Sequence, residues 1–199
     1  CNHYGKTPPC TSKIIKSKIN KVYYSINDID NRVKGKSFKI LKSKKIKVHT
    51  GLLENKVREF YIPYFYNRKK KLPFVNGKIA VAENNLIYSK NKKKITNWRS
   101  DKFTHLLRYK NDSILISYKT LNKDNPKLNC RLKNLKKFSP KRIILDNRLE
   151  TNTKSYIFRT ANKNNTIIFY NEAKKSKISK FKEKKIQIVK AKTDSLKQF

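Results

Sequence analysis

Residues 139–146 read Ser-Pro-Lys-Arg-Ile-Ile-Leu-Asp, and the short apolar run inside them, 142–146 (RIILD), is a strand by length and composition. Runs of the same kind recur on both sides, at 113–118 (SILISY), 166–170 (TIIFY) and 186–189 (IQIV). Helical patterns separate them. Asn97 is placed to cap a helix to about Lys110, whose Phe103, Leu106 and Leu107 form an apolar stripe, and 177–185 reads as a basic, solvated helix. Toward the start of the chain, 74–82 (FVNGKIAVA) reads as a strand, and 68–73 as a linker because charge and Pro73 interrupt the periodicity. Residues 53–67 read as a longer helix, with Val57, Phe60, Tyr61 and Tyr64 at helical spacing and Pro63 placed to kink or end it. Before it come a strand at 46–50, a helix at 36–44 with Phe38, Ile40 and Leu41 on one face, a strand at 21–26 and a helix at 11–19. Strand and helix alternate in both halves, so the expected fold class is α/β, and no internal repeat is visible.

The 199 residues suffice for one large domain or two small ones. Apolar residues are 37% of the chain, but their regular runs exclude a wholly disordered protein. No stretch approaches the roughly 18–20 apolar residues of a membrane helix and no signal peptide opens the chain, so a cytoplasmic protein without a membrane partner is expected. The formal net charge of +38 invites a nucleic-acid reading. The cations, however, are 42 Lys against 9 Arg, beside 22 Asn and 21 Ile, the drift that A/T-rich codons impose on any fold. Base readout would favour Arg, whose fork pairs with guanine, so no nucleic acid is expected as partner. Three cysteines, Cys1, Cys10 and Cys130, make an odd set unsuited to a disulfide framework. With no Met, even at position 1, the chain is expected to be a fragment or a processed form.

The segment Cys1-Asn-His-Tyr-Gly-Lys-Thr-Pro-Pro-Cys10 opens directly onto the first helix. Two thiols on a loop before a helix N-terminus suit zinc, because metal and helix end both favour the thiolate that a Zn–S bond needs. An ordinary pair of cysteines with eight residues between them is the competing reading. The pattern Cys-x-His-x-Gly-x-Thr-Pro-Pro-Cys resembles the second zinc half-motif of the bifunctional riboflavin-biosynthesis family RibD, a fused deaminase and reductase. The resemblance continues in the family's order through Asp28, Gly51-Leu-Leu, the Lys-Leu-Pro-Phe segment, Lys78-Ile-Ala, Ile95-Thr96 and Leu106-Leu-Arg108. It ends with Thr120, Lys123-Asp124-Asn-Pro-Lys-Leu128, Arg131 and the 139–146 run.

The resemblance implies that residues 1–70 are the C-terminal part of a cytidine-deaminase-like α/β/α domain, and 73–199 a truncated dihydrofolate-reductase-like α/β domain. It implies Zn2+ held by Cys1 and Cys10, with Lys6 meeting the substrate's ribose 5-phosphate. His3 serves equally well in a structural hydrogen bond. The family's His-Ala-Glu segment lies upstream of Cys1, so no catalytic acid/base residue is expected inside this chain. In the second half it implies NADPH against Ala80, Thr120, Asp124 and Asn147, and substrate against Lys78, Arg108, Leu128 and Arg131. Leu128 as core and Lys78 as a solvated cation are the plainer alternatives. The implied substrate is a pyrimidine ribosylamine phosphate, and the implied assembly a homo-oligomer, dimer or tetramer. The chain departs from the family at Glu83-Asn84-Asn85, at Lys92-Lys93-Lys94 in place of Ser-x-Trp, and in lacking the Gly-rich phosphate loop. Two other readings remain: a basic ribosomal-type nucleic-acid binder, and a degenerate non-catalytic homologue. If the lysine excess is compositional, an anisotropy titration will find DNA or RNA binding lost by about 0.15 M salt; tight binding that persists there favours the first alternative.

Overall fold

A computed structural model describes residues 1–87 and 95–191. The chain forms two compact units, Cys1–Lys78 and Ile79–Phe199. The first contains α1 (Cys10–Lys16), β1 (Lys21–Tyr23), α2 (Lys36–Ser43), β2 (Lys47–His49), α3 (Glu54–Phe60) and α4 (Ile62–Lys70). β1 and β2 run parallel with Val22 opposite Val48, and the Tyr23 and His49 rings at their ends stack at 4.9 Å. Gly51, at φ 90, turns the chain after β2 while its N–H donates to the Ser25 carbonyl at 2.8 Å. Leu41 and Ile46 are the buried apolar anchors of α2 and of the approach to β2.

The helix expected over 53–67 is two helices, broken at Tyr61 because Pro63, which cannot donate in a helix interior, occupies the first turn of α4. The linker expected at 68–73 is displaced, since α4 continues through Lys70. The cause is Asp30, buried to 8% exposure, whose carboxylate accepts from the Arg32 guanidinium and backbone N–H and also from Arg68. Tyr64, one turn earlier, donates its hydroxyl to Asp28 at 2.8 Å; burial pushes that hydroxyl's pKa up. The strand expected at 74–82 does not form. Val75 and Ile79 are exposed, and no described strand lies beside the segment to complete a ladder.

The second unit is built on β3 (Ser113–Ser117), β4 (Lys141–Leu145), β5 (Thr166–Tyr170) and β6 (Gln187–Lys190), all parallel and adjacent in chain order. α5 (Trp98–Lys110) precedes β3, and Asn97 caps it by accepting from Ser100 N at 3.0 Å. α6 (Tyr118–Asp124), α7 (Tyr156–Thr160) and α8 (Lys175–Glu183) carry the three crossovers. Ile144 and Ile168 sit in register on the inner face and pack with Leu121, Ile157, Phe158 and Phe181 from these helices. The Phe158 and Phe181 rings meet edge to face at 5.0 Å. The opposite face carries Leu115, Ile143 and Ile167 in one row and Leu145 and Phe169 in the next.

Arg142, at the start of β4, is also buried. Its fork donates to Thr160 Oγ1 at 2.9 Å, the Thr160 carbonyl at 3.2 Å and Asn165 Oδ1 at 2.9 Å, closing the turn from α7 into β5. Burial pushes this guanidinium's pKa down. Among the described residues no helix is long and apolar enough to cross a membrane. Phe181→Ala is expected to cost about 3–5 kcal/mol of unfolding free energy in a denaturant titration, against well under about 1.5 kcal/mol for Leu145→Ala on the exposed face.

Candidate functional site

Where β4 ends, Asp146 turns inward and is 1% exposed. Its Oδ1 accepts from Glu150 N, and its Oδ2 from both Thr151 N and Thr151 Oγ1, each at 2.7 Å. The carboxylate thereby coils residues 146–151 into a loop that sends Leu149 into the core and leaves Asn147 exposed. The Asn147 carbonyl accepts from Asn171 N and Glu172 N, both at 3.0 Å, so the loop is tied to the carboxyl end of β5 as well. α6 starts on a Ser117 cap and presents Thr120 and Asp124 one turn apart, both exposed, while Leu121 between them is fully buried. Asn122 donates to the Glu150 carbonyl at 2.9 Å and accepts from Asn152 N at 2.8 Å; Asn125 accepts from Tyr156 N at 2.7 Å. α6 and the loop after β4 therefore form one polar rim at the carboxyl ends of β3 and β4, the usual ligand position of an open parallel sheet. A hydrogen bond with Glu150 raises the Tyr118 hydroxyl's pKa at this rim.

The second cluster is cationic. Arg108, half-buried on α5, donates through Nη1 to the Asn129 carbonyl at 3.1 Å, and Arg131 donates through Nη1 to Asn129 Oδ1 at 3.3 Å. Arg108 Nε is buried with no hydrogen-bond partner. Burial, and then the nearby Arg131, push the Arg108 pKa down. Two guanidiniums held on one asparagine, one of them with a buried donor to spare, form a site suited to an oxyanion. His105 joins them: its Nδ1 accepts from the Arg131 backbone N–H at 3.2 Å.

The third cluster is the cysteine loop. Cys1 and Cys10 place their sulfurs 3.7 Å apart, and Cys10 N donates to the Cys1 sulfur at 3.5 Å. Two sulfurs about 2.3 Å from one tetrahedral ion would lie about 3.8 Å apart, so the pair fits half of a zinc site. His3 Nδ1 is buried without a hydrogen-bond partner, and among the described residues no group of three or more potential ligands assembles. Lys6 lies exposed on the same loop.

Of the residues singled out from sequence, Thr120, Asp124 and Asn147 share the rim, Arg108 and Arg131 converge, and the two cysteines pair. Leu128 is a core residue at 6% exposure, packed with Leu121 and Ile144, so its side chain is unavailable to a ligand. Ala80 is half-buried and Lys78 exposed in the strandless 74–82 segment, and no hydrogen bond between described side chains ties either to these clusters. Lys92, Lys93 and Lys94 lie outside the described residues. Sequence reasoning missed His105 and Asp146. The signal for His105 was its spacing of three from Arg108 on one helix face; Asp146 read only as the end of a strand.

Against known proteins, residues 83–198 match the family described as RibD C-terminal domain. The riboflavin biosynthesis protein RibD of Aquifex aeolicus is 32% identical over 191 residues, 95% of this chain and 53% of the relative. A diaminohydroxyphosphoribosylamino-pyrimidine deaminase of Buchnera aphidicola is 40% identical over 73 residues, 37% of this chain and 50% of the relative. The crystal structure of a deaminase/5-amino-6-(5-phosphoribosylamino)uracil reductase from Thermotoga maritima superposes with a TM-score of 0.80 at 29% identity, covering 99% of this chain and 54% of that one. The chain thus spans about half the length of the curated relatives it matches, and its parallel-sheet α/β fold is that of the Thermotoga maritima structure. With more than half of its residues matched, this chain belongs to the RibD C-terminal domain family.

Proposed function

We propose that the second unit is the reductase part of a riboflavin-biosynthesis enzyme, acting on a phosphorylated ribosylamino-pyrimidine. The observation that carries this reading is the convergence of Arg108 and Arg131 on Asn129, inside the segment that the family match covers. In this reading the two guanidiniums grip the ribose 5-phosphate and fix the sugar. Thr120, Asp124 and Asn147 offer a hydroxyl, a carboxylate and an amide at the sheet's carboxyl end, a set suited to the polar parts of a dinucleotide. NADPH would supply the hydride that turns the ribosylamino group, its ring opened, into a ribitylamino group. The residues here orient the sugar and hold its phosphate. A glycine-rich cradle for the pyrophosphate does not come from this chain, whose glycines, Gly5, Gly35, Gly51 and Gly77, all lie in the first unit.

For the first unit the reading is the closing part of a zinc-dependent deaminase domain of cytidine-deaminase type. Cys1 and Cys10 would hold two corners of the zinc, which supplies an activated water to replace the ring amino group as ammonia. At least one further protein ligand is needed to complete the metal's shell. Lys6 would sit near the phosphate of that substrate. A cytoplasmic enzyme suits these water-soluble phosphorylated substrates.

The test is a binding comparison. Arg108→Ala should weaken the phosphorylated ribosylamino-pyrimidine by about 10–100-fold, the loss of charge-assisted bonds, while changing the Kd for NADPH less than about twofold. Equal loss of both ligands, or loss of neither, measured by isothermal titration calorimetry, would refute the assignment of this site.

A further inference from the structure

We propose that His105, as the neutral imidazole, is the positioning residue of the Arg108–Arg131 pair, and that its protonation releases Arg131 from the phosphate it faces. The inference rests on the reading of that pair as a phosphate site. α5 places Asp101, His105 and Arg108 along one side at spacings of four and three. Three consecutive residues of the facing segment are fastened to this helix. Asn129 takes the Arg108 bond at 3.1 Å, the buried Cys130 donates its thiol to the His105 carbonyl at 3.5 Å, and the Arg131 backbone N–H donates to His105 Nδ1 at 3.2 Å. The last of these is the one that sets where the Arg131 side chain leaves the backbone. It requires a lone pair on Nδ1, and an imidazolium has none there.

The ionic surroundings favour the neutral ring. The charged groups acting on it are Arg131 from the opposite segment, with Arg108 and Asp101 on its own helix; two cations outweigh one carboxylate. Burial is the largest influence and lowers the imidazole pKa; Arg131 and then Arg108 lower it further, while a bond with the Asn129 backbone and the charge of Asp101 act in the other direction. A histidine whose folded pKa is depressed contributes stability above its ordinary value of about 6.5, and that contribution is lost as the pH falls through the folded value. The fastening of Arg131 has the same sign. Anion binding here should therefore weaken on acidification, although acid adds positive charge to the protein. That is the reverse of what a simple cationic patch does.

Sulfate separates the two behaviours, because its charge does not change across the relevant range, whereas a phosphate monoester itself titrates near pH 6. Sulfate titrations of the 199-residue chain, read at the Arg131 amide resonance, should show affinity falling about fivefold or more from about pH 7.5 to about pH 5.5. His105→Asn keeps an acceptor where Nδ1 stood but cannot titrate. It should bind within about twofold of the parent at the higher pH and lose the fall at the lower one. His105→Ala should be weaker by about fivefold or more throughout. Should His105→Ala fail to fold by circular dichroism, the His105→Asn pH profile decides alone. If Arg131→Ala binds sulfate as the parent does, the phosphate reading of the site falls. If Arg131→Ala loses binding while His105→Asn keeps the pH dependence, the site stands and the role given to His105 is overturned.

Discussion

β4 turns an ion into the protein at each end, and the polar rim depends on the one at its carboxyl end. Asp146 is held by three donors, two backbone amides and a hydroxyl, all from Glu150 and Thr151. Leaving such a buried charge short of a donor costs about 1–3 kcal/mol or more for each bond lost, so the loop has one stable course. Along that course Leu149 enters the core, Asn147 stays outside, and Glu150 and Asn152 come within reach of Asn122. Arg142 does the matching work at the amino end, where its fork ties Thr160 to Asn165. Each ion is met by neutral partners rather than by the other.

In a chain with 51 basic residues, charge alone cannot mark a binding site. What sets Arg108 and Arg131 apart is desolvation and geometry. Solvated lysines elsewhere are screened within about 10 Å at ordinary salt, whereas a half-buried guanidinium with an unfilled donor keeps its field and its direction. The rim differs again: Thr120, Asp124 and Asn147 give it a hydroxyl, a carboxylate and an amide.

Much of this was legible in the residues. β5 falls where TIIFY placed it, and β3, β4 and β6 lie within one residue of their apolar runs, because short β-branched segments have few alternatives. α5 was foreseeable from Asn97. α6 and α7 were not visible, since helices of seven and five residues have too little periodicity and owe their starts to Ser117 and Ser155. The 74–82 segment alternates like a strand, but alternation supplies no neighbour to bond with. At the sites, the arginine pair could be named only through the family resemblance, and the cysteine pair through that resemblance and its loop before α1. The part played by His105 could not, because its partner is a backbone N–H 26 residues away, and backbone direction leaves no trace in residue type.

The arginines carry a further lesson. Lys outnumbers Arg by 42 to 9, so what each of the few guanidiniums touches can be compared directly. Arg32 and Arg68 meet the buried Asp30, Arg58 meets Glu54, Arg99 lies over the Trp98 ring, and Arg142 clasps a turn with three acceptors. The forks of Arg32 on Asp30 and of Arg142 on its turn use a flat, many-pronged group as a single ammonium cannot, whereas a cation over a ring is a task that Lys42 also performs on Phe38. Arg108 and Arg131 stand with Arg32 and Arg142 as cations whose direction is set by what they touch, while Arg148 and Arg159 are exposed like most of the lysines.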